Sequence, residues 1–315
     1  MELISTHRAA QALGVSESSL KRWCDAGLIP VVRTVGGHRK LAPSDLLRFA
    51  REEGRGLAAP AVLGLPSVRE SSAAELPRLR PEFVEALLVG DEPRAWQVVF
   101  DLYVAKYSPA VICDELIAVA FRDIGERWSC HEAEVYQERR GCEIVVRLLY
   151  ELRRLQSESV PSRTAFCATT SGDHYMIPAA MAETVLRAAG FHAATLGHDV
   201  PLSSLASAVE RLKPEVLCLC VSSVSDADQF VAGMELLAQA CERRRTALVV
   251  GGRALSQEGL RARLRYAACC DTMQQLEALA RVLLQSRRRA PRPNSGRVVA
   301  VGRASPRGSA RSRRR

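Results

Sequence analysis

The spacing of apolar and polar residues changes along this 315-residue chain, and each change marks a region of different structure. Residues 4–30 have short helical patterns, residues 82–157 have long ones, and residues 163–286 alternate between continuous apolar runs and helical patterns. A period near 3.6 residues indicates an amphipathic helix, whereas a short uninterrupted apolar run is typical of a buried strand. The pattern therefore predicts a helical head, a helical middle and an α/β region.

The first region predicts two short helices joined by a tight turn. Ser5 or Thr6 can cap the first helix, and Gly14 ends it because glycine tolerates a positive φ. Ser16 caps the second helix, and Gly27 ends it. Two such helices joined by a turn form a helix-turn-helix. The outward face of the second helix carries side chains that suit phosphate oxygens and base edges, namely Ser18, Ser19, Lys21 and Arg22.

A basic hairpin is predicted directly after these helices. Val31–Val35 is typical of a short strand, Gly36-Gly37 of a hairpin turn, and His38–Leu41 of the returning strand. The candidate DNA contacts of this wing are Arg33, His38, Arg39 and Lys40. Residues 1–53 are therefore predicted to form a winged helix-turn-helix that binds double-stranded DNA. The alternative is a small helical domain with a solvated basic face.

The middle of the chain predicts a linker followed by a four-helix bundle. Residues 54–78 lack clear periodicity and are rich in glycine and proline, which predicts a flexible linker. Residues 79–158 have apolar positions at helical spacing, and Ser108-Pro109 marks one helix start. The predicted helices cover about residues 79–90, 91–106, 108–127 and 132–157. Helices of this length, joined by short connections, favour a bundle.

Residues 162–286 predict a doubly wound parallel α/β domain, because strand and helix patterns alternate there. The run Glu215–Val221 is apolar almost throughout, as a central parallel strand should be. A later strand ends at Gly251-Gly252, and two further units are predicted after it, closing with the helix Met273–Leu284. Sheets of this kind bind ligands at the carboxyl ends of their strands.

Charge is distributed unevenly along the chain, whose formal net charge is +9. Residues 286–315 contain eleven arginines and no acidic residue, whereas residues 1–56 contain nine basic and six acidic residues. The remainder therefore carries 9 − 11 − 3 = −5. We predict that residues 287–315 are a disordered basic tail, which either has no role or attracts phosphates non-specifically.

Other features of the composition favour a cytoplasmic regulator without enzymatic activity. No apolar run has the length of a membrane span or a signal peptide. Several of the ten cysteines lie in apolar strand-like runs, and no Cys-x-x-Cys pair is present, which argues against a structural zinc site. No catalytic triad, paired-carboxylate site or phosphate-binding loop stands out.

The head resembles the winged helix-turn-helix of MerR-type regulators and of related excisionase-like DNA-binding domains. The matching motifs are Ala9-Ala10-x-x-Leu13-Gly14-Val15-Ser16, Leu20-x-x-Trp23-x-x-x-Gly27-Leu28-Ile29-Pro30 and Thr34-x-Gly36-Gly37-His38-Arg39. The resemblance implies that the second helix enters the major groove and that the wing contacts the DNA backbone or the minor groove.

The order of head, bundle and α/β domain resembles the light- and cobalamin-responsive repressors of the CarH type. Trp128 and Glu138 have the spacing of that family's Trp-x9-Glu-His signature, and Gly172-Asp173 matches the start of its Asp-x-His-x-x-Gly motif. Ser222-x-Val224 resembles a serine motif, and Gly251-Gly252 matches a glycine pair beside the cofactor's nucleotide tail. The cobalamin-binding residues implied by the resemblance are Trp128, Glu138, Asp173, His174, Tyr175, Ser222, Gly251 and Gly252.

Three positions depart from that family. Its lower axial histidine aligns with Tyr175, its glycine with Pro178, and the histidine after the signature glutamate with Arg139. His174 is displaced by one residue and is the candidate cobalt ligand, because a metal ligand needs a lone pair at a set distance and direction. The alternatives are a solvent-facing loop histidine at this position and a bundle-core role for Trp128.

The resemblance implies a transcriptional regulator whose back half binds cobalamin and controls assembly into a homo-oligomer, either a dimer or a tetramer. One alternative is a similar regulator that has lost cofactor binding and assembles without ligand, as Tyr175, Pro178 and Arg139 suggest. Another is a corrinoid carrier that serves a methyltransferase. A carrier would need the axial histidine and would have no use for a DNA-reading head.

Overall fold

The structure is a computed structural model that describes residues 2–69, 75–156, 163–256 and 259–286. The predicted basic tail, residues 287–315, lies outside the described residues. Within those ranges, no helix is both long enough and apolar enough to cross a membrane.

The head forms because its caps and glycines lie where the predicted helices begin and end. Ser5 Oγ accepts a hydrogen bond from the backbone of Arg8, Ser16 Oγ accepts one from Ser19, and Gly14 has a φ of +66° at the end of the first helix. The helices are α1 (Thr6–Leu13), α2 (Glu17–Asp25) and α3 (Pro43–Glu52). Strands β1 (Ile4–Ser5), β2 (Val32–Arg33) and β3 (Arg39–Leu41) form an antiparallel sheet in the order β1-β3-β2. The pairing of β1 with the wing was not predicted.

Residues 54–69 do not form the flexible linker that their composition predicts. Leu57, Leu63 and Leu65 are buried, and a 3-10 turn spans Pro60–Leu63. The carbonyl oxygen of Val62 accepts a hydrogen bond of 2.6 Å from Arg8 Nη2. Glycine and proline allow the chain to turn here, while the apolar side chains among them pack against the head. The segment therefore extends the head instead of separating it from the bundle.

Four helical stretches form the bundle, and their ends lie within three residues of the predicted ones. They are α4 (Leu76–Val89), α5 (Glu92–Val104), the combination of α6 (Pro109–Ile112) with α7 (Ala118–Ser129), and α8 (Val135–Arg154). A π-helical turn, Cys113–Ile117, joins α6 to α7. Asp114 in this turn accepts backbone hydrogen bonds of 2.9 Å from Met273 and Gln274, which attaches the bundle to the α/β domain.

The α/β domain contains a parallel sheet of five strands with helices on both faces. The strands are β4 (Thr164–Thr170), β5 (His192–Val200), β6 (Val216–Cys220), β7 (Ala247–Gly251) and β8 (Ala268–Cys269). The helices are α9 (Met176–Ala189), α10 (Leu202–Leu212), α11 (Ala227–Arg244) and α12 (Met273–Ser286). After Gly252 the described residues contain one strand and one long helix, so the prediction of two further units is wrong. Short 3-10 turns, Arg253–Ser256 and Arg261–Arg263, replace the missing helix.

The strand order β5-β4-β6-β7-β8 places a topological switch between β4 and β6. The chain leaves β4 toward one edge of the sheet and leaves β6 toward the other, so their carboxyl ends open a crevice. The helices α9 and α12 cover the face of the sheet that also contacts the bundle. The loops after β4, β6 and β7 therefore lie beside this seam between bundle and sheet.

Candidate functional site

The exposed face of α2 carries the predicted DNA contacts of the helix-turn-helix. Lys21, Arg22 and Ser18 are exposed, and Ser19 is half-buried. The hydroxyl oxygens of Ser18 and Ser19 each lie 2.9 Å from Ser16 Oγ, so they form part of the helix cap. Lys21 and Arg22 are therefore the side chains of this face with the longest reach toward a duplex.

The wing differs from the prediction at Arg39. Arg33 and His38 are exposed and Lys40 is half-buried, but the Arg39 side chain is only 21% exposed. Its Nη2 atom lies 2.7 Å from Asp25 Oδ1, and its Nη1 atom donates to the carbonyl oxygen of Lys21 at 3.3 Å. Arg39 thus connects the wing to the end of α2 and does not project from the hairpin tip. Asp25 was not predicted to take part, since nothing local in the sequence indicates its partner.

In the α/β domain, Asp173 connects the two loops that diverge at the switch point. It is fully buried, and its carboxylate accepts backbone hydrogen bonds from Tyr175 at 3.1 Å and from Ser222 at 2.5 Å. Its carbonyl oxygen accepts a further bond from Thr169 Oγ1 at 2.6 Å. These bonds satisfy a buried charge that would otherwise be costly. Both carboxylate oxygens accept these bonds from the backbone of the loops, so the carboxylate does not hydrogen-bond to a histidine that could bind a metal.

The neighbouring loop residues face two different environments. The His174 side chain is 72% exposed, with its Nδ1 atom 3.8 Å from Asp199 Oδ2. Tyr175 is half-buried, and its hydroxyl oxygen accepts a hydrogen bond of 3.2 Å from Arg253 Nη2. Arg253 Nε also donates to the carbonyl oxygen of Ser222 at 3.1 Å. The phenol at the aligned axial position is therefore engaged by a guanidinium, and the adjacent imidazole is open to solvent.

We use the name seam cavity for a space of about 370 Å³ between α8 and the loop after β4. Its lining residues are Arg139, Arg140, Cys142, Glu143, His174, Tyr175, Met176, Ile177 and His198. His198 was missed by the sequence analysis, although its place near the carboxyl end of β5 was a usable signal. Burial is the main cause that raises the pKa of Cys142 to about 11, so this thiol stays protonated at neutral pH.

A second, narrower space of about 150 Å³, which we call the inner cavity, lies between α9, α12 and the strand ends. Apolar and sulfur-containing side chains form most of its walls, including those of Pro178, Met181, Cys218, Val250 and Leu276. Burial raises the pKa of Cys270, another wall residue, to about 11. The inner cavity is therefore lined mainly by uncharged groups, although Asp114 and Asp271 are also among its lining residues, and it suits a flat, largely apolar ring.

Gly251 and Gly252 line the inner cavity, but the chain itself already requires them. A Cβ on Gly251 would lie 2.3 Å from the carbonyl oxygen of Cys270, and one on Gly252 would lie 2.3 Å from that of Val221. Gly252 also has a φ of +118°, which disfavours any residue with a side chain. The glycine pair therefore reflects close packing of adjacent loops, and by itself it does not indicate a ligand.

Trp128 and Glu138 do not line the seam cavity in the described part of the chain. The Trp128 side chain lies at the end of α7 and is 52% exposed, so it is not a bundle-core residue. Glu138 lies one turn before Cys142 on α8, and its charge contributes to the raised pKa of that thiol. The structure therefore brings together Asp173, His174, Tyr175, Ser222 and the glycine pair, and leaves Trp128 and Glu138 at the margin.

Comparison with known proteins agrees with this organisation. A family model described as a helix-turn-helix domain matches residues 3–54, and two models described as B12 binding domains match residues 79–153 and 163–282. The HTH-type transcriptional repressor CarH of Myxococcus xanthus is 26% identical over 277 residues, which cover 81% of this chain and 91% of that protein. These matches confirm the predicted combination of a helix-turn-helix head with a cobalamin-binding-type region.

Corrinoid proteins are similar to the back half alone. The trimethylamine corrinoid protein of Methanosarcina barkeri is 23% identical over 181 residues, covering 55% of this chain and 82% of that protein. The solved structure of the Methanosarcina barkeri monomethylamine corrinoid protein matches 66% of this chain and 100% of its own, with a TM-score of 0.54 at 15% identity. The likeness to that structure confirms the predicted fold of the bundle and the α/β domain.

Proposed function

We propose that this chain, which joins a helix-turn-helix domain to B12 binding domains, is a DNA-binding transcriptional regulator that senses a cobalamin. The observation that supports this most directly is the presence of both parts in one chain. An exposed basic face on α2 lies in the head, and two cavities lie near the carboxyl ends of the strands. Coupling requires that the ligand bind one state of the protein more tightly than another.

The two cavities support cobalamin as the ligand. In our proposal the wide seam cavity holds the corrin, and the inner cavity, with its mainly uncharged walls, holds the flat end of the nucleotide tail. When bound, cobalamin supplies a cobalt centre whose axial ligand can be exchanged. The chain contributes the loop that contains Asp173. The hydrogen bonds from Tyr175 and Ser222 to Asp173 hold this loop rigidly against the loop after β6.

His174 is our proposed protein ligand to cobalt. Tyr175 is unsuited to this role because its hydroxyl oxygen already accepts a hydrogen bond from Arg253, and a phenol oxygen is a poor substitute for an imidazole nitrogen as a cobalt ligand. His174 is exposed and lies in the same loop, on the seam cavity. Without the buried carboxylate as a partner, this histidine is expected to hold cobalt less tightly than a buried axial histidine would.

We further propose that ligand binding controls assembly into a homo-oligomer. When the back halves assemble, several helix-turn-helix heads would be held close to one operator. DNA affinity would then rise, because binding of the first head increases the effective concentration of the others at the DNA. A corrinoid carrier for a methyltransferase is the second candidate, because corrinoid proteins resemble the back half. The head favours the regulator, since a carrier has no need of an exposed basic recognition helix.

The visible absorption spectrum tests this proposal. Full-length protein is mixed with adenosylcobalamin or methylcobalamin, freed of unbound ligand, and measured in the dark and after illumination. Light scattering and binding to a duplex of the native promoter are followed on the same samples. We expect retained cobalamin and a ligand-dependent change in mass or DNA affinity. If no cobalamin is retained at millimolar ligand while DNA is still bound, the cofactor proposal fails and a ligand-free regulator remains.

A further inference from the structure

Arg253 is next to residues that line each of the two cavities of the proposed cobalamin site. It directly follows Gly251-Gly252, which line the inner cavity, and its Nη2 atom reaches the hydroxyl of Tyr175, which lines the seam cavity. Its Nε atom is held by the carbonyl oxygen of Ser222 at 3.1 Å. The guanidinium therefore adjoins residues of both cavities.

The charge of Arg253 is not neutralised by a neighbour. Across the described ranges, no carboxylate lies within salt-bridge distance of it, and its two hydrogen-bond partners are neutral oxygens. Other arginines of this domain differ, since Arg263 pairs with Asp228 and Arg265 pairs with Glu235. Arg253 is exposed, and its two bonds leave further N–H donors of the guanidinium available.

Tyr175 holds Arg253 in position through two contacts. The hydroxyl oxygen accepts the bond from Nη2, and the guanidinium carbon lies 5.1 Å from the centre of the phenol ring. A cation near an aromatic face is stabilised by the ring quadrupole. Tyr175, at the aligned axial position, therefore orients an arginine. A histidine that bound cobalt at this position could not do so.

We propose that Arg253 binds the phosphodiester of a complete corrinoid and makes the site selective for corrinoids that carry a nucleotide tail. In cobalamin an anionic phosphodiester joins the corrin to a benzimidazole. If the corrin occupies the wide cavity and the benzimidazole the narrow one, this phosphodiester lies between them, where Arg253 is. Guanidinium groups bind phosphate oxygens through paired, charge-assisted hydrogen bonds. This inference rests on the proposed function, because it requires that a cobalamin binds.

The test compares adenosylcobalamin with adenosylcobinamide, which has the corrin but lacks the nucleotide tail. Dissociation constants are measured by quenching of tryptophan fluorescence in the full-length wild type and in Arg253→Ala, Arg253→Lys and Tyr175→Phe. We expect Arg253→Ala to weaken adenosylcobalamin about tenfold or more, as for a lost bond between charged groups. Adenosylcobinamide should bind the wild type and Arg253→Ala equally, Arg253→Lys should recover part of the loss, and Tyr175→Phe should have a smaller effect.

Arg265→Ala is the matched control, because it removes an exposed arginine of the same domain that pairs with acidic residues. It should leave both affinities unchanged, and thermal melting checks that each variant is folded. Equal weakening of both ligands in folded Arg253→Ala would overturn the inference, and so would tighter binding of both, which would show that Arg253 only blocks the site. If the wild type binds neither ligand, the proposed function itself fails, and this inference falls with it.

Discussion

Replacing Arg39 by alanine should weaken DNA binding indirectly, by releasing the wing from α2. The guanidinium reaches Asp25 Oδ1 at 2.7 Å and the Lys21 carbonyl at 3.3 Å, and the arginine side chain is 21% exposed against 62% for Asp25. An ion pair that is open to solvent on one side contributes about 0.5–1 kcal/mol of interaction free energy. Loss of the wing's position should therefore reduce specific DNA affinity about two- to fivefold.

A double-mutant cycle distinguishes this clamp from a direct phosphate contact. Arg39→Ala, Asp25→Ala and the double variant are titrated against a labelled duplex of the native promoter by fluorescence anisotropy at moderate salt. If Arg39 acts as a clamp, Asp25→Ala alone should weaken binding, and Arg39→Ala should add little in that background. The cycle would then give a coupling free energy near that of the ion pair.

The opposite sign for Asp25→Ala would refute the clamp. If Arg39 contacted phosphate, removal of Asp25 would take a negative charge away from the DNA and free the guanidinium, so binding should tighten. Arg48→Ala provides the control, since it breaks an ion pair of 3.4 Å with Asp45 on α3, away from the wing. This control should leave DNA affinity nearly unchanged.

Four further outcomes follow from particular residues. Arg22→Ala on the exposed face of α2 should relax sequence preference by about 1–3 kcal/mol between matched and mismatched sites, as measured in competition titrations. Deletion of residues 287–315, with eleven arginines, should flatten the salt dependence of non-specific DNA binding, and an unchanged slope would contradict a DNA role for the tail. His174→Ala should change the visible spectrum of bound cobalamin; if instead only Tyr175→His shifts the spectrum and tightens binding, His174 is not the ligand. Gly252→Ala should lower the melting temperature or abolish folding, because its Cβ would lie 2.3 Å from a backbone oxygen, and a wild-type melting curve would contradict this steric argument.

Local signals explain why much of the fold was predictable. Ser16 caps α2 through a bond to a residue three positions away, and Gly14 ends α1 by its own φ, so both are readable within one turn. The four bundle helices likewise follow from apolar spacing along each helix. The glycine-rich linker was misjudged because composition favours flexibility, whereas burial of Leu57 and Leu63 depends on a surface formed by distant residues.

The candidate site was only partly predictable. Motif spacing identified Asp173, Ser222 and Gly251-Gly252, which the sheet brings to neighbouring loops. It did not identify Arg253, because an arginine after a glycine pair has no distinctive local pattern. It also missed His198, whose only signal was its place near the carboxyl end of a strand. Both residues belong to the candidate site only because the parallel sheet brings the carboxyl ends of its strands, and the loops that follow them, to the same side.

The sequence by itself determined where the helices of the head and of the bundle begin and end, and the type of each domain, because caps, glycines and periodicity act over a few residues. The tertiary structure alone decided which charges meet. Arg39 meets Asp25 because a hairpin folds back onto α2. Arg253 meets Tyr175 across 78 positions because the loops after β4 and β7 lie at the same end of the parallel sheet, with only β6 between their strands. Contacts of that separation depend on crossover connections and strand order, which local residue preferences do not encode.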